Sequence, residues 1–202
     1  MKRFISILLV LILGVSIFTG CKEDEESSAE SSNNSDVTYY ADIVIKDYGT
    51  ITVKLDAKTA PITVENFVSL AKSGFYDGLT FHRIMEGFMM QGGCPKGNGT
   101  GDSGKKIKGE FAVNGVPNNI SHKRGVISMA RGGYSYDSAS CQFFIMHADS
   151  PGLDGQYAAF GYVTSGMDVV DAVCTSAKPT DNNGTIPKEE QPVIEKITIR
   201  EE

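Results

Sequence analysis

Between Tyr39 and Arg200 the apolar residues come in short runs, most alternating with polar ones, and turns drawn from the chain's 22 glycines separate them. Successive side chains of a strand point to opposite faces, so this period commits the region to sheet with one buried face. Ile43 and Ile45 precede Asp47-Tyr48-Gly49, and Ile51, Val53 and Leu55 follow it at period two, which reads as a β-hairpin. Further strands are expected over 80–85, 88–91, 125–130, 142–147, 158–163 and 193–200. Two stretches change to helical spacing. In the first, Thr59 serves as cap, Pro61 suits the opening turn, and Val64, Phe67, Val68 and Ala71 recur until Gly74 closes the helix. The second, over 166–174, turns Val169, Val170 and Val173 inward. Residues 115–119 and 178–191 read as loops, and no internal repeat is found. Many short strands with two helices predict a mainly β fold, a closed barrel whose open ends the helices cover.

The first twenty residues follow another logic. Lys2 and Arg3 precede an apolar run from Phe4 to Val15 broken only by Ser6 and Gly14, the build of a secretory signal rather than a mature span. Its end, Phe18-Thr19-Gly20-Cys21, resembles a bacterial lipobox, with Phe18 where an aliphatic residue is usual. The resemblance implies cleavage before Cys21 and a diacylglycerol on its thiol, whose two chains suffice for stable anchoring. The expected location is the extracytoplasmic face of a cell membrane. Residues 22–36 carry one Lys against six acids and almost nothing apolar, as expected of a disordered acidic tether. The domain is then 37–202, and of the total charge of −6 it keeps only −3. A domain so near neutrality has no electrostatic footprint for nucleic acid.

Beyond Cys21, three cysteines remain, and their odd number and spacing indicate neither a disulfide framework nor a metal site, although one pair could still form. Cys141 and Cys174 read as small buried residues, whereas Cys94 beside Gly92-Gly93 is a candidate for an exposed, oxidisable thiol. His82, His122 and His147 lie too far apart for metal-ligand spacing.

Three segments set polar groups among apolar ones: FHRIMEGFMMQGG from Phe81, QFFIM from Gln142 and LDGQYAAFG from Leu153. In the first, a regular strand puts Arg83 on one face with Phe81 and Met85. A permanently charged guanidinium there needs a partner or a task. Together with GVISMAR, ending at Arg131, and SASCQFFI, ending at Ile145, these segments resemble the cyclophilin family in order and over nearly all of the chain from Tyr39. The resemblance implies an eight-stranded antiparallel barrel with two capping helices and peptidyl-prolyl cis/trans isomerase activity in a surface groove. Arg83 takes the catalytic arginine's place. Phe88, Met89, Phe144 and Leu153 fall on positions that line the proline pocket, and Gln91, Ala130 and Gln142 on positions that bind the flanking peptide backbone. Tyr157 stands at the pocket edge, where many relatives carry His, and His82 is read as structural. No metal or cofactor is implied. Expected partners are proline-containing peptides and folding secreted proteins, met as a monomer. Animal relatives carry a Trp, important for cyclosporin, where this chain has Gly152, so weak cyclosporin binding is expected. A non-catalytic proline-binding chaperone module and a structural or adhesion lipoprotein are the competing readings.

Overall fold

The structure, a computed structural model, describes residues 37–202; the signal-like segment, Cys21 and the acidic stretch lie outside the described residues. In chain order the elements are β1 (Tyr39–Ile45), β2 (Gly49–Leu55), α1 (Pro61–Lys72), β3 (Phe81–Met85), β4 (Met89–Gly92), β5 (Val126–Met129), β6 (Phe143–Met146), β7 (Ala159–Ser165), α2 (Met167–Ser176) and β8 (Ile194–Glu201). All eight strands join one antiparallel sheet in the order β3-β4-β6-β5-β7-β2-β1-β8.

The barrel expected to close does not. The sheet is a curled half-barrel, and between its end strands β3 and β8 lies only the single bridge Thr80–Val193. The reason is that the chain entering β8 occupies the outer edge of β3 first. Ile84 N donates to Gly184 O at 2.8 Å, Ile186 N to His82 O at 3.1 Å, and Phe81 N to Pro192 O at 2.9 Å. Pro192 has no N–H with which to extend a ladder. The segment expected to be a plain loop is thus the cover of an otherwise exposed strand edge.

The concave side holds the core. Alternation sends Ile43, Ile51, Val53, Ile84, Met90, Ile127, Phe143 and Ile145 inward, and the helices close over them with Val64, Phe67 and Ala71 from α1 and Val170 and Val173 from α2. Phe67 gathers Tyr76, Phe143 and Phe160 with ring centroids 5.2–5.5 Å away. The alternate residues of the same strands face outward and build a second, smaller cluster around Met89, Phe144 and Met146. A register shift in the β3–β4 pairing falls between Phe81 and Arg83. It turns Phe81 into the core while Arg83 and Met85 face out, so Arg83 shares its face with Met85 alone.

The cap of α1 also differs from expectation. Thr59 does not cap; its backbone N–H and hydroxyl donate to the Asp56 carboxylate, at 2.9 and 2.8 Å. The helix N-terminus is served instead by Glu110, far along the chain and 2% exposed. Its carboxylate accepts Ile62 N at 3.1 Å, Thr63 N at 2.7 Å and the Thr63 hydroxyl at 2.6 Å. All three described cysteines are free and buried. Burial pushes the Cys141 thiol up to about 11 and Cys174 to about 12. Cys94 is a correction, because it is only 1% exposed. Burial would raise its pKa, but backbone N–H groups of Asn98, Gly101, Lys96 and Gly99 together outweigh that and lower it.

Candidate functional site

Strand register lays the site out as a row. Arg83 pairs with Gln91 across β3–β4, Gln91 with Phe144 across β4–β6, and Phe144 with Ser128 across β6–β5. One row along, Met85, Met89 and Met146 are likewise opposite one another. Directly opposed residues on one face have neighbouring side chains, so residues far apart in sequence meet in a single outer patch.

Arg83 is fixed by partners of unequal strength. Nε donates to Asn183 O at 2.7 Å, Nη1 to Gln91 Oε1 at 3.3 Å, and Nη2 reaches only the thioether of Met85 at 3.4 Å. The guanidinium carbon lies 5.8 Å from the Phe88 ring centroid. Burial lowers the Arg83 pKa from its ordinary value, and Tyr157 and Asp181 oppose the shift; an arginine nevertheless keeps its charge in proteins. Behind it runs a relay. Gln91 Nε2 donates to Gln142 Oε1 at 3.0 Å, and Gln142 Nε2 donates to Gly99 O at 2.9 Å and Gly101 O at 2.8 Å. Arg83 is therefore aimed through two amides anchored on the 99–101 backbone.

Next to it lies a cavity of about 160 Å³ lined by Arg83, Phe88, Met89, Gln91, Ala130, Arg131, Phe144, Leu153 and Tyr157. Drug-sized sites run to roughly 300–1,000 Å³, so this one suits a single small ring. A second cavity of about 130 Å³ adjoins it, sharing Gln91, Ala130 and Arg131 and adding Gln142 and Asp102. The structure thus brings together every site residue expected within the described chain, with Gln142 in the second cavity rather than the first. Cys21 lies outside the described residues. Two neighbours were not expected. Asn183 comes from the edge-covering segment, and only its Asn-Gly turn chemistry hints at a fixed carbonyl. Arg131 ends the GVISMAR motif, but spacing alone gives its side chain no task.

The pocket floor is braced from below. His122, 1% exposed, stacks on Phe144 at 6.0 Å between centroids. Its Nε2 is 3.0 Å from the Ser128 hydroxyl and its Nδ1 2.9 Å from Asp154. The constellation is that of a nucleophilic triad, but Ser128 is fully buried and has no access to a substrate. Burial lowers the His122 pKa against the opposing pull of Asp154. His147 steadies the opposite wall: its Nδ1 accepts Gly87 N at 2.8 Å, and its backbone N–H donates to Phe88 O at 2.9 Å. His82 lies beneath Arg83, where burial and then the Arg83 charge push its pKa down to about 4. It is a neutral, buried neighbour of Arg83 rather than a proton donor. Among the described residues no group of His, Cys, Asp or Glu is arranged to hold a metal ion.

Comparison with known proteins places the chain among relatives of one family. Residues 40–200 match the family model described as cyclophilin type peptidyl-prolyl cis-trans isomerase/CLD. The chain is 51% identical over 127 residues to a peptidyl-prolyl cis-trans isomerase of Helicobacter pylori, covering 62% of this chain and 74% of that one. It is 47% identical over 125 residues to peptidyl-prolyl cis-trans isomerase B of Bacillus subtilis, covering 62% and 83%. In structure it resembles a cyclophilin type isomerase of Cryptosporidium parvum crystallised in the presence of the dipeptide Ala-Pro. That match has a TM-score of 0.70 and 27% identity, and covers 80% of this chain and 98% of that one.

Proposed function

The chain belongs to the cyclophilin-type peptidyl-prolyl cis-trans isomerases, and from that premise we propose that it turns X–Pro bonds of secreted or envelope proteins by stabilising the twisted bond with Arg83. Resonance holds a peptide bond planar behind a barrier of about 18–20 kcal/mol. At the twisted transition state conjugation is lost, and the proline nitrogen becomes pyramidal and gains a lone pair. A donor aimed at that nitrogen bonds to it only there, which is the condition for lowering a barrier rather than merely binding substrate.

The observation that carries the reading is the unequal bonding of Arg83. Nε and Nη1 hold the plane still, while Nη2 leans on a sulfur, a weak acceptor that an incoming nitrogen displaces at little cost. With the proline ring in the cavity against Phe88, Met89 and Phe144, this open edge faces the bond that rotates. Gln91, Ala130 and Gln142 hold the flanking backbone, Leu153 and Tyr157 shape the pocket rim, and no nucleophile or general base takes part. Cys21, once lipidated, would place the domain as a monomer on the extracytoplasmic face of the membrane, among chains still folding.

The test is cis/trans exchange of an Ala-Pro peptide by the purified protein and by Arg83→Ala and Arg83→Lys. Loss of one pre-aimed donor is expected to lower kcat/KM about 10²-fold or more, with the peptide Kd much less affected and little rescue by Lys, which lacks the fork. If all three proteins bind the peptide and none accelerates exchange, the groove is a docking site and the catalytic reading falls.

A further inference from the structure

Arg131 lines both cavities, yet it takes no part in the amide relay and the proposed catalysis gives it no role. Its guanidinium is clamped in place. Nε donates to Gln156 O at 3.0 Å and Nη1 to Gly132 O at 3.3 Å. The guanidinium carbon lies 4.8, 5.0 and 5.4 Å from the ring centroids of Tyr157, Tyr136 and Phe111. Phe111 and Tyr136 meet edge to face at 5.6 Å, so the cage is itself braced. A guanidinium carries five N–H donors in one plane; the two bonds leave both Nη2 donors and one on Nη1 without an acceptor among the described residues. No carboxylate of the described residues is ion-paired with it. Asp102 lines the second cavity but does not pair with it either.

A cation held by carbonyls and rings, but left without a counter-charge, is already arranged to receive one. The side-chain freedom that binding normally removes is gone beforehand, and the Nη1–Nη2 edge presents the fork that matches a carboxylate. We infer that Arg131 makes this isomerase selective for prolines with an acidic side chain within two residues, whose carboxylate enters the second cavity. The inference rests on the proline occupying the first cavity as proposed above.

The experiment measures kcat/KM for exchange by the full chain on Ala-Ala-Pro-Ala-Ala peptides carrying Glu or Gln at each non-proline position in turn. At one position Glu should exceed Gln by roughly three- to tenfold, as expected of a charge-assisted bond in a partly exposed site. The advantage should shrink at about 0.5 M salt. It should vanish in Arg131→Gln, and it should grow in Asp102→Asn, where a competing carboxylate is removed. A merely structural arginine would lower the rates for Glu and Gln peptides together and leave their ratio at one. Equal rates for Glu and Gln at every position, or a Glu preference that survives Arg131→Gln, overturn the inference while the isomerase reading stands. Absence of exchange with every peptide overturns both.

Discussion

Arg83 and Arg131 lie on one face of the sheet and are held by opposite strategies. Arg83 is tied by carbonyl and amide partners so that one edge is left against sulfur, whereas Arg131 is caged by three rings. The first arrangement suits a donor needed only in the transition state; the second suits a fixed charge. Gly152 precedes the pocket residue Leu153, in the short 3-10 turn Pro151–Leu153. A Cβ added there would meet no atom within 4 Å, so Gly152→Trp should fold and isomerise as the parent does. The indole would add a large apolar ring and a donor beside Leu153, and calorimetric titration should find cyclosporin bound at least about tenfold more tightly. Equal affinity in parent and variant would overturn the expectation that Gly152 weakens cyclosporin binding. At this scale the site was largely legible, because Arg83, Gln91 and Phe144 stand in motifs whose order is itself informative. Phe81 was misplaced because strict alternation fails at a β-bulge, and no residue type announces the bulge. Asn183 was missed because its contribution is a backbone carbonyl, which any residue possesses.

The elements show why local signals ran out. Strands and helices followed their periods to within a residue or two at their ends, since each period is a local property of burial. The cap of α1 and the cover of β3 are long-range, and neither is written near the element it completes. Glu110 illustrates the consequence: it sits at the positive end of the α1 dipole and accepts three hydrogen bonds while buried. Glu110→Ala leaves the Ile62 and Thr63 N–H groups without their partner and should cost about 2–3 kcal/mol. For a domain of this size that is a fall in Tm of roughly 5–10 °C, readable by calorimetry on protein whose folded form remains active. A Tm within a degree of the parent would mean that water replaces the carboxylate without loss. The half-barrel has the same origin, because strand counting supplies eight strands but not the segment around Gly184 that reaches the β3 edge before β8 does.

For the whole molecule, the decisive residues are those proposed to attach it. Among the described residues no helix is long and apolar enough to cross a membrane, and the attachment proposed above is through the lipid on Cys21. Fifteen residues separate Cys21 from Val37, a length of chain that spans at most about 50 Å. An isomerase so attached meets its substrates within a thin shell, where the effective concentration of nascent chains far exceeds that in free solution. Attachment and catalysis should then separate cleanly. Cys21→Ala should move the protein from the membrane pellet to the soluble fraction and abolish incorporation of labelled fatty acid, because the diacylglycerol has no other thiol outside the folded core. Its kcat/KM on a soluble Ala-Pro peptide should match that of the parent, since every residue lining the pocket lies between Arg83 and Tyr157, far along the chain from Cys21. Retention of the variant in the pellet would show that the apolar run from Phe4 to Val15 holds the chain as an uncleaved anchor. Fatty-acid labelling that persists in the variant would place the lipid elsewhere.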